Sequence, residues 1–262
     1  MAHAPIGVFD SGVGGLSVLR ALRAELPHER YVYFADSGHA PYGERGDAFV
    51  IARSLAIAEG LVRDHHIKAL VVACNTATAA AIHALRQQHP LLPIVGVEPA
   101  LKPALAVTRT RRVGVWATRG TLGSPKFAAL RTSLDGQATF VTQACDGLAL
   151  AIEQQATDPG PVQGLCERYL SALGHFGTSA GEIDTLVLGC THYVFVREQL
   201  AKRLGPGVTL VDTGEPVARQ TRRLLTNAGR LADPTGPVLP AVAWLGTGSV
   251  TQLAAAASRW QI

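Results

Sequence analysis

The sequence predicts an α/β fold of two similar domains with mostly parallel sheets, related by internal duplication. Three observations carry this expectation. Short β-branched apolar runs alternate with longer stretches of helical period, the pattern of repeated strand-helix-strand units. The pattern occurs twice: Ile6-Gly7-Val8-Phe9 matches Val113-Gly114-Val115-Trp116, and Leu70-Val71-Val72-Ala73 before Cys74 matches Leu186-Val187-Leu188-Gly189 before Cys190. Near the end of each copy, Val97-Glu98-Pro99 resembles Gly214-Glu215-Pro216, and the offset between copies grows only from 107 to 116 and 117 residues. Matches that keep their order and spacing are the mark of a duplicated unit.

Two related halves imply two domains facing one another, with an active site in the cleft between the carboxyl ends of their sheets. The expected first domain is 1–97, completed by 212–262, and the second is 98–211. The segment after Asp212 returns to the first domain because the second copy ends there and its remaining strand and helix need a sheet to pack on.

In chain order, the first strand is expected at 5–9 and the first helix over Leu16 to Glu25. Between them lies Asp10-Ser11-Gly12-Val13-Gly14-Gly15. Its glycines permit tight curvature, and the amides of a helix start can hold a carboxylate or phosphate; the alternative is a purely structural turn. A dinucleotide fingerprint fails because Ser17 stands three residues after Gly14, where the third glycine belongs. A strand at 31–35 leads into Ala35-Asp36-Ser37 and Pro41-Tyr42-Gly43, a turn-rich segment that a surface loop would explain. A functional loop there would place backbone amides and the Tyr42 hydroxyl over a ligand. Next come a helix over Asp47 to Asp64, a strand at 68–73, a helix over Thr78 to Gln88 and a strand at 93–97. The second copy supplies strands at 112–116, 138–142, 184–189 and 208–211, followed by a helix over Thr213 to Thr226 and a strand at 241–245. The Pro/Gly-rich stretch from Asp233 to Pro240 reads as a loop.

Composition narrows the function. With 47% apolar residues the chain can bury a substantial core. Its net charge of +4 comes from scattered basic residues with no basic stripe interleaved with aromatics, so nucleic acid is not the expected partner. No apolar stretch is long enough for a bilayer and no signal-like segment precedes Asp10, so a cytoplasmic location with reduced thiols is expected.

The four cysteines stand at 74, 145, 166 and 190. Cys74 and Cys190 each end a buried strand, where open α/β sheets place their ligand crevices and a following helix start favours a thiolate. One such cysteine reads as core packing; two in equivalent frames suggest paired bases. Cys190-Thr191-His192 invites a metal reading, but no further ligands have metal-site spacing and no Cys-x-x-Cys pair exists, which argues against zinc and against thioredoxin-like redox chemistry. No lysine lies in a motif for pyridoxal phosphate, so no cofactor is expected. Thiols titrate near enough to neutrality to exchange protons. Two of them on opposite faces of a stereocentre can invert it: one thiolate removes the α-proton and the opposite thiol returns one. Ser11, Asn75, Thr76 and Thr191, with nearby amides, would stabilise the intermediate. His192 is placed to take part in proton exchange. Glu153 reads by pattern as a solvated helical acid.

The motifs Asp10-Ser11-Gly12-Val13-Gly14-Gly15-Leu16, Pro41-Tyr42-Gly43, Ala73-Cys74-Asn75-Thr76-Ala77 and Gly189-Cys190-Thr191-His192-Tyr193 closely resemble those of the glutamate racemases, in order, from residue 6 to about 218. The resemblance implies a cofactor-independent isomerase interconverting L- and D-glutamate for peptidoglycan synthesis, two α/β domains and a homodimer. It implies that Cys74 is the base acting on D-glutamate and Cys190 the base acting on L-glutamate, assisted by Asp10 and His192 respectively. It also implies substrate binding by Asp10-Ser11, Tyr42-Gly43, Asn75-Thr76 and Thr191-His192, with Glu153 matching a further catalytic acid by position. Two departures stand out: Cys145-Asp146-Gly147-Leu148-Ala149 replaces the usual proline-rich, aromatic approach to that acid, and Val194 stands where many members have proline. An aspartate racemase is the nearest enzymatic rival, disfavoured by His192, where those enzymes typically carry an acid. A noncatalytic amino-acid-binding protein is the rival from another class, and it would need neither thiol.

Overall fold

The computed structural model describes residues 3–154, 160–233, 235 and 242–262. The elements of the first half are β1 (Ile6–Asp10), α1 (Leu16–Glu25), β2 (Tyr31–Ala35), α2 (Asp47–His65), β3 (Ala69–Val72), α3 (Asn75–Gln88) and β4 (Ile94–Gly96); α4 (Leu101–Val107) comes next and packs against the second sheet. The second half follows as β5 (Arg112–Ala117), α5 (Arg119–Leu122), α6 (Pro125–Thr132), β6 (Thr139–Ala144), α7 (Leu148–Gln154), α8 (Gly160–Leu173), β7 (Thr185–Leu188), α9 (Arg197–Leu204) and β8 (Thr209–Val211). The chain closes with α10 (Gly214–Asn227), β9 (Val242–Gly246) and α11 (Val250–Arg259). The expected loop from Asp233 to Pro240 and the first residue of the expected strand at 241–245 fall largely outside the described residues.

Among the described residues, one sheet has the order β4-β3-β1-β2-β9 and the other β6-β5-β7-β8, with every pairing parallel. Written without β9, the two orders are the same: a central first strand, flanked by the second and third, with the fourth outside the third. The registers agree as well. Phe9 lies opposite Val72 and Trp116 opposite Leu188, and the residues before the two cysteines make equivalent hydrogen bonds, Ala73 N to Phe9 O at 2.8 Å and Gly189 N to Trp116 O at 2.7 Å. The third sequence match is displaced by one residue. Leu70 pairs with Ile94 and Leu186 with Leu210, so structural equivalence places Glu98 opposite Gly214 rather than Glu215.

Burial explains the strands. All five residues of β1 are buried because helices cover both faces of its sheet. Alternation then divides them: Ile6 and Val8 join the core under α1, α10 and α11, while Phe9 joins Leu70 and Val72 in the core under α2 and α3. The second sheet divides likewise, Val113 and Val115 to one side, Trp116, Leu186 and Leu188 to the other. The last strand, β9, adds to β2 with Tyr31 opposite Val242, which carries the carboxyl end of the chain back beside the first half. Helix α3 begins at Asn75, three residues before the expected Thr78, because Cys74 itself is its N-cap: the sulfur accepts from Ala77 N at 3.4 Å.

Candidate active site

All eleven residues singled out in the sequence line one cavity at the carboxyl ends of both sheets: Asp10, Ser11, Tyr42, Gly43, Cys74, Asn75, Thr76, Glu153, Cys190, Thr191 and His192. This is the crevice position expected of open parallel sheets. Both candidate sulfurs are buried, Cys74 at 5% and Cys190 at 7% exposure, and they come from different sheets.

On the first side, Cys74 Sγ–H donates to Ser11 Oγ at 3.7 Å, and the sulfur lies at the start of α3. Asp10, at the end of β1, is fully buried and accepts from the amides of Ser11 and Gly15. Burial raises the Asp10 pKa against the opposing pull of His192 and these amides. Burial, with the Asp10 carboxyl next in importance, pushes the Cys74 thiol well up, so this sulfur rests protonated.

The second side is built differently. Cys190 precedes a short 3₁₀ turn, Thr191–Val196, and its side chain caps no amide. Its sulfur lies 3.6 Å from His192 Nδ1, while His192 Nε2 lies 2.7 Å from Glu153 Oε1. Burial of the imidazole opposes its protonation, but Cys190 and Glu153 together outweigh burial and raise its pKa well above the ordinary value. Burial also works against the Glu153 carboxylate, yet the His192 partner and the Val13 amide lower its pKa. A protonated ring donates at both nitrogens, which completes a chain from sulfur through imidazolium to carboxylate.

The glycine loop joins these sides in a way its sequence did not reveal. The amide of Val13 donates to Glu153 Oε1 at 3.1 Å, across 140 residues. A Cβ at Gly12 would stand 1.8 Å from that oxygen, and one at Gly14 would stand 2.3 Å from His192 Nδ1. The expectation that these amides hold a ligand anion is therefore corrected in part: the amides of Ser11, Val13 and Gly15 are occupied by the protein's own Asp10 and Glu153. Ser17 adds another crossing, its Oγ lying 3.1 Å from Thr191 O.

The cavity wall brings a second correction. Tyr42 OH donates to Asp36 Oδ2 at 2.5 Å, so its proton is committed to that carboxylate rather than offered to a ligand, while Tyr42 and Gly43 line the cavity. Asn75 is buried with neither Oδ1 nor Nδ2 paired, an arrangement whose cost a polar ligand in the cavity would offset. Thr76 Oγ1 meets Thr118 Oγ1 at 2.9 Å, and Thr118 also lines the cavity. Thr118 was not singled out in the sequence, although it follows the strand that repeats Ile6-Gly7-Val8-Phe9 just as Ser11 follows the first copy. Nor was Cys145, a buried cavity-lining thiol. Among the described residues, no three His, Cys, Asp or Glu side chains cluster as a metal site requires, and no helix is long and apolar enough to cross a membrane.

Comparison with known proteins returns glutamate racemases. The glutamate racemase of Pseudomonas syringae pv. tomato is 49% identical over 241 residues, covering 92% of this chain and 85% of that one. A crystal structure of a glutamate racemase isoform from Bacillus anthracis superposes with a TM-score of 0.86 at 35% identity, covering 100% of this chain and 95% of the other. The Escherichia coli glutamate racemase, solved in complex with L-glutamate and an activator, superposes with a TM-score of 0.82 at 32% identity over 98% of this chain and 95% of that one. A model of the Asp/Glu/hydantoin racemase family matches residues 15–221, and the chain belongs to that family.

Proposed function

We propose that this chain racemises glutamate by a two-base mechanism in which Cys74 and Cys190 face opposite sides of the substrate Cα. The observation that carries the reading is that these two buried sulfurs, from different sheets in equivalent frames, line the same cavity. With L-glutamate bound, Cys190 acts as a thiolate paired to the His192 imidazolium. Its sulfur takes the α-proton, forming an S–H bond as the C–H electron pair moves into the carboxylate-stabilised carbanion. Cys74 then delivers its thiol proton to the opposite face, giving D-glutamate and leaving a Cys74 thiolate. Proton exchange with solvent resets the pair. For D-glutamate the roles reverse, with Cys74 as base and Asp10 as its proton partner.

Asn75, Thr76, Ser11, Thr191 and the backbone of Tyr42-Gly43 hold the charged ends of the substrate, and the unpaired Asn75 amide supports that role. The resemblance extends the reading to a homodimer in the cytoplasm that supplies D-glutamate for peptidoglycan. The division into a domain of 1–97 with 212–262 and a second of 98–211 is part of the same proposal, supported by the two four-strand orders that agree. Polarimetry on L-glutamate, D-glutamate and L-aspartate without added cofactor tests it. Loss of rotation with both glutamate enantiomers is expected; activity confined to aspartate overturns the substrate assignment.

A further inference from the structure

Asp36 lies outside the cavity, and the sequence shows it only as part of a turn. Its side chain is fully buried yet carries a carboxylate, which requires donors from elsewhere. Four side chains supply them. Arg53 of α2 donates through Nε at 2.9 Å and Nη2 at 2.7 Å, Tyr42 OH at 2.5 Å and Thr247, just past β9, at 2.8 Å; His39 Nδ1 stands at 3.0 Å. Burial alone would raise the Asp36 pKa, but Arg53, Tyr42 and Thr247 hold it below the ordinary carboxylate range.

Tyr42 and Gly43 line the cavity, and Gly43 is packed against the other half: a Cβ there would stand 2.8 Å from Thr118 Cβ. A carboxylate that grips the Tyr42 hydroxyl therefore fixes where this wall meets Thr118. Thr247 also accepts from Gly38 N at 3.1 Å, so the same knot ties the carboxyl-terminal segment to the loop.

We propose that Asp36 is a positioning residue for the substrate: through the Tyr42 hydroxyl it fixes the Tyr42-Gly43 wall in its ligand-binding place, and Thr247 braces it from the end of β9. The proposal rests on the reading that this cavity binds glutamate. Because Asp36 touches neither sulfur, its loss weakens binding of both enantiomers and leaves the proton transfers largely intact.

The test is steady-state kinetics in both directions for wild type, Asp36→Asn and Thr247→Val, with circular dichroism to verify folding. Asp36→Asn is expected to raise KM by about tenfold in each direction, the scale of a lost charged hydrogen bond, while kcat stays within about threefold. Thr247→Val, remote from the cavity, is expected to raise KM by about twofold to threefold at unchanged kcat. If Asp36→Asn fails to fold, the Thr247→Val result decides. Unchanged KM in the folded variants, or a fall in kcat at unchanged KM, overturns the proposal. Wild-type turnover in the same assay tests the glutamate reading separately, so the two failures are distinguishable.

Discussion

Cys74 and Cys190 occupy equivalent strand-end frames, yet their surroundings solve the problem of proton exchange by different means. Cys74 caps a fourteen-residue helix and has Asp10 beside it, an acid on the neighbouring strand β1. Cys190 has a short 3₁₀ turn in place of that helix start and draws on His192 and Glu153. The strand position equivalent to Asp10 is Ala117, which brings no acid. The second half must therefore import its carboxylate from α7, and the glycine loop of the first half makes room for it. Duplication preserved the sulfur positions, while the groups that tune them diverged.

The strongest challenge to this comparison is removal of each sulfur. Cys74→Ser and Cys190→Ser are each expected to lower kcat/KM by about 10²- to 10⁴-fold, the range of a positioned acid-base group. Enantiomers have equal free energy in water, so each loss must be the same in both directions. The asymmetry between the two sides is to be sought in kcat and KM separately. Wild-type turnover by either folded variant would remove that sulfur from the reaction.

Gly12→Ala probes the crossing between the halves. The new Cβ would stand 1.8 Å from Glu153 Oε1, so the acid has to leave. A loss of about tenfold to a hundredfold in kcat is expected from the misplaced His192, with no such loss if Glu153 merely decorates the rim. Glu153→Gln sharpens the point through pH. His192 has a raised folded pKa, so its protonated form contributes stability fully below the unfolded value and loses it as pH rises through the folded value. Removing the Glu153 charge lowers that folded value, and the basic limb of the pH-rate profile is expected to move to lower pH. A limb that stays in place would separate Glu153 from His192.

The smallest predicted effect lies at the other ends of the strands. Lys68 precedes β3 and pairs with buried Glu29 at 2.5 Å, whereas its counterpart Asp184 precedes β7 and accepts from Thr108 Oγ1 and the amides of Arg109 and Thr110. Burial opposes the Asp184 charge, but these donors lower its pKa to about 2. Its contribution is full above the unfolded carboxylate value and is lost as pH falls toward about 2. Asp184→Ala is expected to cost about 2 kcal/mol in urea unfolding at pH 7, with little change in turnover.

The contrast also shows what a sequence can carry. The strand ends and the cysteine frames were legible because burial and duplication both leave their marks in the order of residues. Helix α1 falls where its period places it, over Leu16–Glu25. Glu153 was not legible as a partner of His192, since a helical acid reads as solvated and what admits it is a missing Cβ 141 positions away at Gly12. The Tyr42 hydroxyl was misdirected for a related reason: Asp36 looks like a turn residue until Arg53 and Thr247 arrive from distant parts of the chain. Local pattern fixes elements; long-range pairing decides which way a polar group points.

The most direct test of the central claim follows the early turnover of L-glutamate in deuterium oxide. With two bases, newly formed D-glutamate carries solvent deuterium at Cα while the remaining L-glutamate is still unlabelled, because different sulfurs remove and return the proton. D-glutamate that retains the original hydrogen, or label entering both pools at the same rate, would mean that one shared base does the work and would contradict it.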